Sequence, residues 1–213
     1  MRADVSNRLL SFPFALVAFV IAGCSTMSES ECRAVDWRTI GYEDGVAGYP
    51  GDRIALHRKA CAKYGVRADL TLYQEGREQG LREYCQPSNG YRLGARGGGY
   101  GGVCPTDLEP AFARAFESGH QLYTLESRVN NAAAQLNAKR QELDRVQHGI
   151  VANAAAAVSN GSSDRDRADA VVDTAELAER AGRLKAEIRE LEQQRVIYER
   201  DLEAYRANQP PMT

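Results

Sequence analysis

Between Leu122 and Tyr205 the apolar residues step by alternating three and four positions, a period that only long helices can use. The first run is Leu122, Leu125, Val129, Ala132, Leu136, Lys139, Leu143, Val146 and Ile150. The second is Ala170, Thr174, Leu177, Ala181, Leu184, Ile188, Leu191, Arg195, Tyr198, Leu202 and Tyr205. Each holds for roughly four heptads or more, the length at which a coiled coil becomes the leading interpretation. At 1.5 Å per residue the two seams are about 40 and 50 Å long. Glu176 with Arg180, and Glu179 with Arg183, add i,i+4 pairs in the favourable order. The polar stretch Val158–Arg167 between them suits the bend of an antiparallel hairpin, and Ala154–Ala157 extends the first arm. The expected hairpin covers 108–207, with a short tail at 208–213. Its alanines, and Lys139, Thr174 and Arg195 in the seams, make a thin core.

The segment before it has another composition. Residues 36–104 hold 14 of the 19 glycines and 7 of the 10 tyrosines. Tyr42-x-x-Gly45, Tyr73-x-x-Gly76 and Tyr91-x-x-Gly94 recur, followed by Phe116-x-x-Gly119, at spacings too uneven for a solenoid. Gly41 with Gly45, and Gly76 with Gly80, stand at helical i,i+4 spacing. A helix-interior glycine costs about 1 kcal/mol relative to alanine. Several on one face therefore imply that another backbone comes close, with aromatic rings packed over the gap. Helices are expected at 36–48, 53–64 and 69–84, broken at Pro50-Gly51 and at Gly65, with Asp52 and Asp69 as N-caps. Residues 86–104 read as an irregular loop. The fold class is all-α: a small helical head over 36–107, then the hairpin.

The N-terminus reads as a targeting segment, set aside before fold reasoning. Arg2 and Arg8 precede an apolar stretch at 9–22, too short to cross a bilayer as a helix. It closes on Ile21-Ala22-Gly23-Cys24, which resembles the bacterial lipobox. Residues 1–23 are then a signal peptide, Cys24 the acylated first residue, and 24–35 a tether. Several acyl chains anchor far better than one, at about 0.8 kcal/mol per buried methylene. Ser25 stands where an aspartate would resemble an inner-membrane retention signal, so the expected address is the outer membrane, facing the periplasm.

Export into an oxidising compartment changes how the other cysteines read. Cys32, Cys61, Cys85 and Cys104 remain, and four cysteines allow three pairings that counting alone does not separate. The helix placements favour Cys32–Cys61, across an antiparallel pair turning at Pro50-Gly51, and Cys85–Cys104, closing the glycine loop. A rival is a zinc site, since His57 and Cys61 are i,i+4. No further ligand motif completes it, and no metal or cofactor is expected. A catalytic thiol would need a partner histidine and a depressed pKa.

The blocks DWRTIGYEDGVAG, HRKACAKYGV, YQEGREQGLREYC and NGYRLGARGGGYGGVCP, in that order, resemble a family of Gram-negative envelope lipoproteins, domain of unknown function twenty-seven ninety-nine. The resemblance covers roughly 32–120. It implies an envelope lipoprotein domain with four cysteines at these positions, and it brings no catalytic residues.

Charge narrows the function classes. With 27 Lys and Arg against 29 Asp and Glu, the chain lacks the basic excess of a nucleic-acid binder. The run Arg96–Gly102 lacks the following GK[ST] of a phosphate loop, and a single RGG-like copy does not make an RNA site. Its glycines read as a flexible loop permitting positive φ. His57, His120 and His148 belong to no recognised catalytic signature, and Glu43 and Asp44 read as solvated surface. The expectation is a non-enzymatic structural or interaction lipoprotein, held at the membrane by lipid and meeting an envelope protein through its arms. Glycan or small-ligand binding by the tyrosines is the alternative, and an envelope hydrolase a weaker one.

Overall fold

A computed structural model describes residues 27–209; residues 1–23, expected to be a signal peptide, and Cys24 lie outside that range. The described residues form seven α-helices and one 3-10 turn, with no strand among them.

The chain enters through α1 (Glu29–Ala34), inside the stretch expected to be a tether. Ser28 and Glu31 form a reciprocal capping box there, and Cys32 on α1 is buried. Helix α2 (Trp37–Val46) starts at Asp36, whose carboxylate accepts from the Arg38 N–H. A 3-10 turn at Gly51–Arg53 leads into α3 (Ile54–Ala62), so Asp52 sits inside the turn and caps nothing. Helix α4 (Leu70–Tyr84) is capped by Asp69, as its sequence requires.

Residues 87–95, expected to be loop, form helix α5 (Pro87–Ala95) with Pro87 in its first turn. Helix α6 (Glu109–Ala157) is 49 residues long and belongs to two parts of the molecule. Its first four turns pack on α5, and the rest pairs with α7 (Asp164–Ala207). Ser163 and Asp166 form a second capping box, so the bend is shorter than expected and Asp164–Arg167 are helical.

Both heptad runs are the seam of this hairpin. Every residue named in them is buried or half-buried, with Leu136 and Leu184 only 1% and 3% exposed. Lys139 leaves the seam to reach Glu187 across the arms at 2.7 Å. Arg140–Glu192 and Arg180–Glu142, each at 2.6 Å, bridge the same stretch. Exposed pairs contribute little energy but fix register. At the base, the Tyr205 hydroxyl donates to the Ser118 carbonyl at 2.6 Å, and Arg206 meets Glu126 at 2.6 Å.

Candidate functional site

The glycines of the head zip two helix pairs, and the pairs are copies of one plan. In the first, a methyl group built on Gly41 would collide with the Tyr73 carbonyl, on Gly45 with that of Arg77, and on Gly80 with that of Tyr42. In the second, Gly90 faces the Phe112 carbonyl, Gly94 that of Phe116, and Gly119 that of Tyr91. Each first-helix residue of the second pair stands 49 positions after its counterpart (41 to 90, 45 to 94), and each second-helix residue 39 after (73 to 112, 77 to 116). Gly48 and Gly97 complete the match. Both have positive φ, 71° and 73°, and they lie beneath the rings of Tyr84 and Tyr123 respectively.

A disulfide staples each copy. Cys32 bonds Cys61 and Cys85 bonds Cys104, each joining the entry of a first helix to the connection before the second. Cys32, Cys61, Trp37 and Tyr73 form one core. Leu81, Cys85 and Phe112 form the next, where Tyr84 stacks on Phe112 at 5.4 Å between centroids. The glycine loop is held by Tyr100, which donates to the Glu109 carboxylate, accepts from Cys104 N at 3.2 Å and packs on Phe112. Burial, then the Glu109 hydrogen bond, pushes the Tyr100 phenol up to about 12.

Asp44 corrects the sequence reading. Glu43 is exposed, but Asp44 is 6% exposed and gathers three partners. The Tyr73 hydroxyl donates to it at 2.7 Å, His57 Nε2 at 2.9 Å and Arg53 Nε at 3.2 Å. A buried carboxylate is tolerated when so satisfied. Burial first, and then Asp44, raises the Tyr73 phenol far above its ordinary value. This cluster ties α2, α3 and α4 together. With His57 on Asp44 and Cys61 in a disulfide, the zinc pair of the sequence reading is dismantled. The same bonds leave none of the four head cysteines as a free thiolate.

The tyrosines act mostly as structure. Tyr73 is 1% exposed, while Tyr84 and Tyr123 cover glycines. A groove of about 410 Å³ runs between α4 and the Val103–Pro105 segment, but its tyrosine is Tyr73, turned inward to Asp44. No stacking platform for a sugar lines it.

Exposed apolar side chains occur singly on the head and at Val196 and Ile197 on α7, and four valines stand at the far end of the hairpin. Val151, Val158, Val171 and Val172 are 69%, 79%, 63% and 57% exposed. No charged residue occurs between His148 and Asp164. From Tyr123, the last residue of the head packing, α6 runs about 50 Å further to this tip.

The fold thus defines a class: an all-helical protein whose duplicated, disulfide-stapled glycine zippers carry a long hairpin. Residues 36–121 match the family described as "Protein of unknown function (DUF2799)", and this segment of the chain is a domain of that family. The match ends two residues before Tyr123, so it spans both zipped pairs and stops where the free hairpin begins. No curated protein and no solved structure matches the chain.

Proposed function

We propose that the chain is an outer-membrane lipoprotein, acylated at Cys24 and facing the periplasm, whose head is a stapled base and whose hairpin docks an envelope protein at its tip. The observation that carries the docking role is the group of four exposed valines at the hairpin's far end, two of them, Val151 and Val158, within the uncharged stretch 149–163. An apolar patch so far from the core serves no packing need of this chain. Support for the base role comes from the fastening of the hairpin at its head end, through Tyr205 to Ser118 and Tyr91 to Gln209. A rigid base with a fixed arm fits a positioning task. The role is non-catalytic, with His57 spent on Asp44 and the head cysteines spent on disulfides.

The test places a photo-crosslinking residue at Val151 or Val172, and in parallel at exposed Gln194 on the mid-arm, in intact cells. The expected result is a discrete adduct from the tip positions and none from Gln194. Equal labelling from all three, or none from the tip, would overturn the docking role.

A further inference from the structure

The two zipped pairs differ most in their connections. The second is the glycine loop Gly98–Asp107, without a single basic residue. The first carries α3 and the loop after it, where no carboxylate occurs between Arg53 and Arg67. Arg53 and His57 are engaged by Asp44. Arg58, Lys59, Lys63 and Arg67 are exposed, and none has a carboxylate within 4.0 Å among the described residues. The glycine zipper therefore forms in the second copy without such charge, and in the first copy these cations have no carboxylate partner among the described residues, Lys63 lying only over the Tyr64 ring at 4.8 Å.

Its arrangement is directional. Ala60 and Cys61 bury one side of α3, while Leu56, Lys59 and Lys63, at i, i+3 and i+7, form the outward stripe. Leu56 is 60% exposed at its N-terminal end. An apolar side chain followed by long cationic ones suits a bilayer surface, where the lysine stems lie along the apolar boundary and the ammonium groups meet phosphates.

Position supplies the occupant. Met27 packs in the core beside Cys61, its Sδ 3.8 Å from the Cys61 Sγ. Cys24 lies three positions earlier in the chain, a reach of at most about 11 Å. We infer that the outward face of α3 docks on an anionic phospholipid bilayer, as a second membrane contact beside the lipid on Cys24. Because it takes Cys24 acylation as its starting point, this inference builds on the function proposed above. The acyl chains on Cys24 would hold the chain at the bilayer without fixing how the base sits, and a basic patch beside them sets that orientation.

The experiment removes the lipid so that the two ideas are judged apart. The mature chain carrying Cys24→Ser is mixed with vesicles of phosphatidylcholine containing phosphatidylglycerol, and with pure phosphatidylcholine vesicles, and sedimented. It should bind the anionic vesicles, lose binding as salt rises, and leave the neutral ones alone. Replacing Arg58, Lys59, Lys63 and Arg67 together by Gln should reduce partitioning about tenfold or more. The pair Lys59→Gln/Lys63→Gln should lower it partway, with Trp37 emission confirming that both variants are folded. No binding to anionic vesicles, equal binding to neutral ones, or full binding by the folded variants would each overturn the inference. Acylation is read separately, from the mass of the N-terminal peptide of protein isolated from cells. Either result can therefore fail while the other stands.

Discussion

Replacing Gly45 by alanine should destabilise the head, whereas the same change at Gly182 should stabilise the arm. A methyl at Gly45 would lie 2.9 Å from Leu81 N and 3.0 Å from Gly80 Cα, and closer still to the Arg77 carbonyl oxygen. All three are backbone atoms, so no rotamer change relieves the overlap and α2 must move away from α4. That displacement pulls Asp44, the preceding residue, off the Tyr73 hydroxyl. Overpacking of this kind costs about 1 to 3 kcal/mol, and a rigid neighbour places it at the upper end. Alanine's better helix propensity returns up to about 1 kcal/mol. The net loss is about 2 kcal/mol, or roughly 10 °C in the midpoint of a unit this size. At Gly182, which is exposed on α7 with no atom within 4 Å of an added methyl, only the propensity gain remains. Trp37, the sole tryptophan, is 7% exposed in the first core, so its emission follows the head while far-ultraviolet circular dichroism follows the arms. A Gly45→Ala protein whose Trp37 transition stays in place, or rises, would refute the close-approach account.

Two further outcomes follow from the staples and the buried phenols. Reduction should loosen the head, seen as a red shift of Trp37, and leave the cysteine-free arms helical; closing loops with separations of 29 and 19 residues contributes about 3 to 4 kcal/mol per bond in the chain-entropy model. Unchanged emission on full reduction would contradict that role. Tyr100, with its phenol near 12 in the folded chain against about 10 when unfolded, lends stability that is complete below pH ~10 and lost as pH rises toward 12. Tyr100→Phe should therefore show a shallower alkaline loss in denaturant midpoints over that window, and an identical slope would count against a phenol raised by burial and by Glu109.

The arms were the most legible part of the chain, because a 3.6-residue period survives any choice of side chain that keeps the stripe apolar. Even Lys139 and Thr174 fit the seam, one reaching Glu187 and the other returning its hydroxyl to the Ala170 carbonyl at 2.7 Å. The disulfide partners were expected correctly but not for the reason given: α2 packs on α4 rather than on α3, and Cys32 reaches Cys61 from the short helix α1, which lies against α3. Helix α5 was hidden by its own glycines. Gly90 and Gly94 oppose a helix by local propensity, and only the close contact with α6 outweighs that cost. The duplication was hidden by mixed roles. Tyr42 and Tyr91 are counterparts, but Tyr73 corresponds to Phe112 and Phe116 to Arg77, so counting every aromatic-x-x-Gly together scrambles the spacing. Pairing GYEDGVAG (41–48) with GYRLGARG (90–97) is the signal that would have revealed it. Asp44 was misread because its partners lie 9, 13 and 29 residues away, beyond any local pattern.

The proposed anchoring is tested most directly by intact mass spectrometry of the N-terminal peptide from protein purified out of the membrane fraction. The account requires a chain that begins at Cys24 and carries diacylglyceryl and amide-linked acyl mass on that residue. A chain that begins elsewhere, or an unmodified Cys24 in membrane-derived protein, would contradict it.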